Sequence, residues 1–185
     1  MLSRLQLGAR RSTVCAVLAV LIMLVPLRVS AQNLDQPSFL GDVFKRVILD
    51  PTTYVPSAIA YDATVRDWNT SQPFFQNGYF ERNQRFTVSG LPNDRPVSYA
   101  VGRQRITWDA FMNLQMSLAN NVADQVFERM LVDRFPTHRK LVRSFGWLER
   151  GAFASFISYR LSAAHYRQAA ANQVYAQQMG FNNAR

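Results

Sequence analysis

Residues 107–134 read TWDAFMNLQMSLANNVADQVFERMLVDR, and this stretch decides the fold class. Phe111, Leu118, Ala119, Val122, Val126, Phe127, Met130 and Leu131 fall at the spacing that lines one face of an α-helix. Ser117, Asn121, Asp124 and Glu128 form a polar stripe opposite, at steps of three and four. The spacing predicts a helix over Trp108–Arg134, with Thr107 as its N-cap and Asp109 in its first turn. Phe135–Pro136 ends it, and Thr137 caps the next helix.

Downstream, from His138 to Met179, only Gly146 and Gly151 interrupt the helical pattern. A straight helix of that length is about 60 Å long. A compact domain of this size is about 40 Å across. A bend or break between Gly146 and Gly151, or a projecting end, is therefore expected. Gly180 and Phe181 read as a glycine stop with a hydrophobic contact behind it. Within this half, Gly151–Tyr166 reads GAFASFISYRLSAAHY. Gly151, Ser155, Ser158 and Ser162 place small residues along one side, the kind that let helix backbones approach closely. Arg160 and His165 argue against a membrane span, so a central helix of a soluble bundle is the expectation. A face that docks a partner helix or lipid is the sharper alternative.

Upstream, Ser38–Leu49 carries Phe39, Leu40, Val43, Phe44, Val47 and Ile48 at helical spacing, with Ser38 as N-cap and Asp50–Pro51 as the end. A shorter helix follows Pro56, with Ala58, Tyr61, Val65 and Trp68 on one side. Residues 70–106 are rich in aromatics. Asn77–Gly78 suits either a hairpin turn or a helix C-cap. Arg85–Ser89 and Pro96–Val101 have strand-like composition. The expectation is a mainly α fold: a compact domain of four to five helices with an irregular, aromatic-rich segment, holding at most two short strands, packed across it.

The N-terminus reads as an export signal. Arg4, Arg10 and Arg11 precede an uncharged apolar run, Val14–Leu27, and Val29 and Ala31 are small residues at −3 and −1 of a cleavage site before Gln32. The run is 14 residues, short of the roughly 20 that span a bilayer. A retained anchor over residues 14–27 is the alternative. Arg10–Arg11 is followed by Ser12, Thr13 and Val14, a weak match to twin-arginine export. The expected mature chain, residues 32–185, is one domain in two halves, 32–106 and 107–180.

That mature chain has 17 basic and 12 acidic residues, a net charge of +5, and loses the single cysteine, Cys15. Disulfides, cysteine–metal sites and a cysteine nucleophile are excluded from it. With two histidines and three glutamates, catalytic options are few. His165 is the foremost base candidate, with Glu149 and Ser162 as helpers on the same helix. A serine hydrolase would also need an acid on the histidine and an oxyanion hole, and there is no G-x-S-x-G elbow. A hydrogen-bonded structural histidine is the plainer reading. No Glu-x-x-His or H-E-x-x-H occurs, so no metal and no cofactor are expected.

Two surfaces invite a binding reading. Arg134, His138, Arg139, Lys140 and Arg143 surround the Pro136 turn, together with Arg129, and suit an anionic membrane surface or an acidic partner, or are merely solvated. Nucleic acid finds no supporting motif. Trp68, Phe74, Phe75, Tyr79 and Phe80 form an aromatic patch, either a core that pins the irregular segment or a recognition surface. The function expected is that of an exported protein, periplasmic or at a membrane surface, that binds a protein partner or the envelope and is not an enzyme. The alternatives are a small envelope hydrolase or transferase with His165 as base, or a carrier of a hydrophobic ligand.

Overall fold

The structure is a computed structural model that describes residues 39–181. The export signal, the alternative anchor and the Ser38 cap lie outside the described residues. The chain divides into two units, Met1–Asp42 and Val43–Arg185. The architecture from Val43 onward belongs to the second.

The fold is mainly α, with four α-helices among the described residues: α1 (Phe39–Leu49), α2 (Val55–Gln76), α3 (Tyr99–Arg134) and α4 (Arg139–Gln178). Short 3-10 turns occupy Pro51–Thr53, Gln84–Phe86 and Pro136–His138. Helix α2 packs chiefly against α4 and also against α3, and α3 packs against α4. Extended pairing among the described residues is limited to two antiparallel bridges, Glu81 with Asp94 and Thr87 with Pro96.

Asp50 ends α1 and caps the next turn, its carboxylate accepting from the Thr52 backbone N–H at 3.0 Å. Asn77–Gly78 closes α2 as a helix C-cap: the Asn77 amide donates to the Pro73 carbonyl at 2.8 Å, and Gly78 has φ 84°. Helix α3 starts nine residues before the expected Trp108. Pro96 alone of the expected strand Pro96–Val101 is bridged, and Ser98 caps the helix instead. Thr107 lies inside, its hydroxyl donating to the Arg103 carbonyl. The reason is tertiary. Val97 and Ile106 close over Trp68 and Phe86 in the apolar core, and a Cβ on Gly102 would lie 2.2 Å from the Trp68 ring. That contact holds the first turns of α3 helical against α2.

Helix α4 runs unbroken through Gly146 and Gly151, so of the expected bend, break or projecting end the break is absent. Gly146 serves another purpose: a Cβ there would sit 2.5 Å from a Glu128 carboxylate oxygen. The glycine admits that carboxylate. At the far end Gly180 (φ 68°) donates to the Gln177 carbonyl and Phe181 to the Ala176 carbonyl at 2.8 Å, the paired bonds of a Schellman stop.

In the middle of α3 the polar stripe turns inward. Asn121 and Glu128 are 3% and 6% exposed, and Ser117 and Gln125 are buried with them. Phe111, Met116, Phe127 and Met130 remain exposed. Helix α4 repeats the arrangement, with Ala154, Ser158 and Ser162 buried while Phe156 and Tyr159 face out. Small side chains bring the helices close, and several of the buried polar groups find partners across or within them. Asn121 donates to the Thr52 and Thr53 hydroxyls at 2.9 and 2.8 Å. Ser158 and Ser162 donate to carbonyls one turn back in their own helix.

Candidate functional site

The segment after α2 is held in place before any ligand arrives. Phe86 stacks on Trp68 with ring centroids 5.2 Å apart, and the Val97 N–H donates to the Phe86 carbonyl at 2.8 Å. The Glu81 N–H donates to the Asp94 carbonyl at 2.8 Å. This strap stands off α2 and α4 and leaves a cleft of about 430 Å³ between them.

His165 of α4 lines the cleft, its Nδ1 2.7 Å from Asp67 Oδ2 of α2. An ionised carboxylate can only accept, so the ring carries its proton on Nδ1 in that bond. Nε2 has no partner among the described residues. Buried Asn172 completes the floor, donating to the Ser71 hydroxyl at 3.0 Å and accepting from Gln168 at 2.8 Å. Its amide nitrogen lies 3.5 Å from the second Asp67 oxygen. Burial pushes the Glu81 carboxyl above the usual carboxylate range. The Asn83 backbone N–H, 2.7 Å away, works against that rise, and the nearby Asp67 charge adds to it. Phe74, Phe75, Tyr79 and Phe80 supply the walls, with Phe80 63% exposed at the rim. The cleft thus offers carboxylate and imidazole acceptors beside aromatic rings.

A second polar cluster lies between the α1 end, α3 and α4. Arg150 donates through Nε to Asp50 at 2.8 Å and through Nη1 to Glu128 at 2.9 Å and to Asp124. Arg46 lies 3.9 Å from the other Glu128 oxygen. Burial opposes the Arg150 charge, and the bonds to Glu128 and Asp124 outweigh it, raising the guanidinium above its usual range. Glu149 stands beside this cluster. Burial and the neighbouring Asp124 carboxylate push its carboxyl above the usual range.

The third feature is the elbow joining α3 to α4. A groove of about 450 Å³ between the two helices is lined mainly by Phe127, Leu131, Leu141, Val142 and Phe145, with Asp124, Glu128 and Glu149 at its edge. Phe135, Leu141, Trp147 and Leu148 are also exposed around the elbow. Arg134, His138, Arg139 and Lys140 are exposed among them. Arg143 is partly buried and engaged within the fold.

The structure therefore separates the three residues grouped as catalytic. His165 is in the cleft. Ser162 is buried and spends its hydroxyl on the Ser158 carbonyl. Glu149 is sixteen residues from His165 on one helix, about 24 Å along its axis. The basic residues stay together at the elbow. In the aromatic set, Trp68 is core at 4% exposure, while Phe74, Phe75, Tyr79 and Phe80 wall the cleft. Asp67, Glu81 and Asn172 were not singled out from the sequence, because they lie about 100 residues from His165 or in an irregular segment, or carry no motif. Asp67 was within reach: it precedes Trp68 on the helix that carries the aromatic patch.

Compared with known proteins, the chain matches no family model, no curated protein and no solved structure.

Proposed function

We propose that the protein is an exported, envelope-associated binding protein that seats the α3–α4 elbow on an anionic membrane surface. The observation that carries this reading is the interleaving at the elbow. Phe145, Trp147 and Leu148 are exposed at 64%, 63% and 62%, within a few residues of exposed Arg139 and Lys140. Residues 134–143 contain four Arg or Lys and no acid. Aromatic and aliphatic side chains that enter the headgroup region, ringed by cations, are what an interfacial anchor requires. Each cation near an anionic surface adds about 1 kcal/mol of attraction. Two of the three carboxyls at the groove, Asp124 and Glu128, are spent on Arg150. No helix among the described residues is long and apolar enough to cross a membrane.

Sedimentation with phosphatidylglycerol vesicles and with phosphatidylcholine vesicles tests the reading. The protein is expected to pellet with the anionic vesicles, to be released by high salt, and to stay in solution with the zwitterionic ones. The double variant F145E/L148E, on two exposed positions, should fold and lose the interaction. Equal binding to both vesicles, binding by neither, or full binding by the variant refutes the proposal.

A further inference from the structure

The cleft under the strap has a chemistry independent of the elbow. Its volume of about 430 Å³ lies within the roughly 300–1,000 Å³ of small-molecule sites. Two carboxyl groups from different elements, Asp67 on α2 and Glu81 on the strap, line it. They are close enough for the charge of one to hold back ionisation of the other. His165, its Nδ1 committed to Asp67, keeps the Nε2 lone pair of its neutral form as a third acceptor. Aromatic rings line the walls, and the face of such a ring carries negative potential. Arg82 is the cation in the lining, and it is exposed at the rim.

We propose that this cleft binds a small protonated amine, its ammonium held by the Glu81 carboxylate and His165 Nε2 and its carbon skeleton laid against Tyr79 and Phe80. An anion would meet two carboxylates. A neutral apolar guest would strip water from acceptors without replacing it, which is costly. A metal ion is the weaker occupant, since no group of three or more His, Cys, Asp or Glu among the described residues is placed to hold one. An ammonium fits these observations best. It donates to Glu81 and to His165 Nε2, its charge offsets the repulsion between Asp67 and Glu81, and it is attracted to aromatic rings.

The occupied site needs Glu81 ionised. The groups that face it are Asp67 on α2, His165 on α4 and Arg82 beside it on the strap. On the paired strand of the strap, the Asp94 carboxylate accepts from the Ser89 N–H. Because Glu81 lies above the usual carboxylate range, affinity should fall as pH drops through that raised value.

Calorimetric titration with phenethylamine, 2-phenylethanol and phenylacetate at neutral pH is the test. The amine is expected to bind, and the alcohol and the acid to bind at least tenfold more weakly or not at all. Glu81→Gln keeps the acceptor for the Asn83 N–H and removes the charge, and should weaken amine binding about tenfold or more. Phe80→Ala, on an exposed ring whose loss leaves the core intact, should weaken it several-fold, and it carries the test should Glu81→Gln fail to fold. No heat with millimolar amine, alcohol or phenylacetate binding as tightly as the amine, or unaltered affinity in both variants overturns the proposal.

Discussion

The two ends of the helical hairpin are built on opposite rules. Where α2 meets the first turns of α3, the interior is apolar: Trp68, Phe86, Val97 and Ile106 form one cluster, backed by Tyr61, Val65 and Phe75. Farther along α3 and α4, the interior is largely polar, with Asn121, Gln125, Glu128, Arg150, Ser158 and Ser162 buried beside Val132 and Ala154, and many large apolar side chains point outward. The first region draws its stability from area removed from water. The second depends on the bonds its buried polar groups make, because the net gain from such pairs is small and the cost of a broken one is large.

The sharpest way to break this comparison is Arg150→Ala. It leaves Asp50, Asp124 and Glu128 in a buried cluster without their shared cation. The expected loss is about 3–5 kcal/mol, a fall in Tm of about 10 °C or more. Chemical denaturation measures it. A loss below about 1 kcal/mol would mean that the acids are hydrated and the second region is not a dry interior.

A pair of glycine substitutions probes the difference less violently. In the apolar region, Gly102→Ala drives a methyl group into the Trp68 ring and should cost about 1–3 kcal/mol. In the polar region, a Cβ at Gly151 meets nothing within 4 Å, and Gly151→Ala should gain about 0.5–1 kcal/mol from helix propensity alone. Equal effects at the two positions would contradict the tight α2–α3 contact.

The smallest effect belongs to Glu149→Gln. The folded chain holds the Glu149 proton more tightly than the unfolded chain does, chiefly through burial and then through the Asp124 charge. Its stabilising contribution is therefore complete below the ordinary carboxylate range and is lost as pH rises through the raised value. Glutamine mimics the protonated form. The variant should match the native protein in acid and melt slightly higher at neutral pH, as followed by Tm against pH. A gain confined to acid would reverse the sign and exclude carboxyl repulsion at this position.

Periodicity made the mainly α class and the long helices legible, since steps of three and four are a property of the chain itself. It did not say which face points inward. The stripe at Ser117, Asn121, Asp124 and Glu128 looks like a solvent face until Arg150, Thr52 and Thr53 arrive from elsewhere in the chain. The start of α3 was missed for a similar reason. Pro96–Val101 has strand composition, and the Ser98 cap and the contact of Gly102 with Trp68 favour helix. In the cleft, His165 and the aromatic walls were visible as residue types. Asp67, 98 positions away, became its partner only through the packing of α2 on α4.

The stop of α4 has a consequence for motion. Phe181, which follows the capping glycine, packs edge-on against Phe74 at 5.5 Å and Tyr79 at 6.0 Å, the same rings that wall the cleft. Helix termini ordinarily open with almost no free-energy cost. Here the last turn cannot unwind without releasing the strap's aromatic anchor, so the two should open as one unit. The slowly exchanging amides of residues 176–181 and of residues 77–81 would then share a single protection factor, and a guest that steadies the strap would slow exchange at the end of a 40-residue helix.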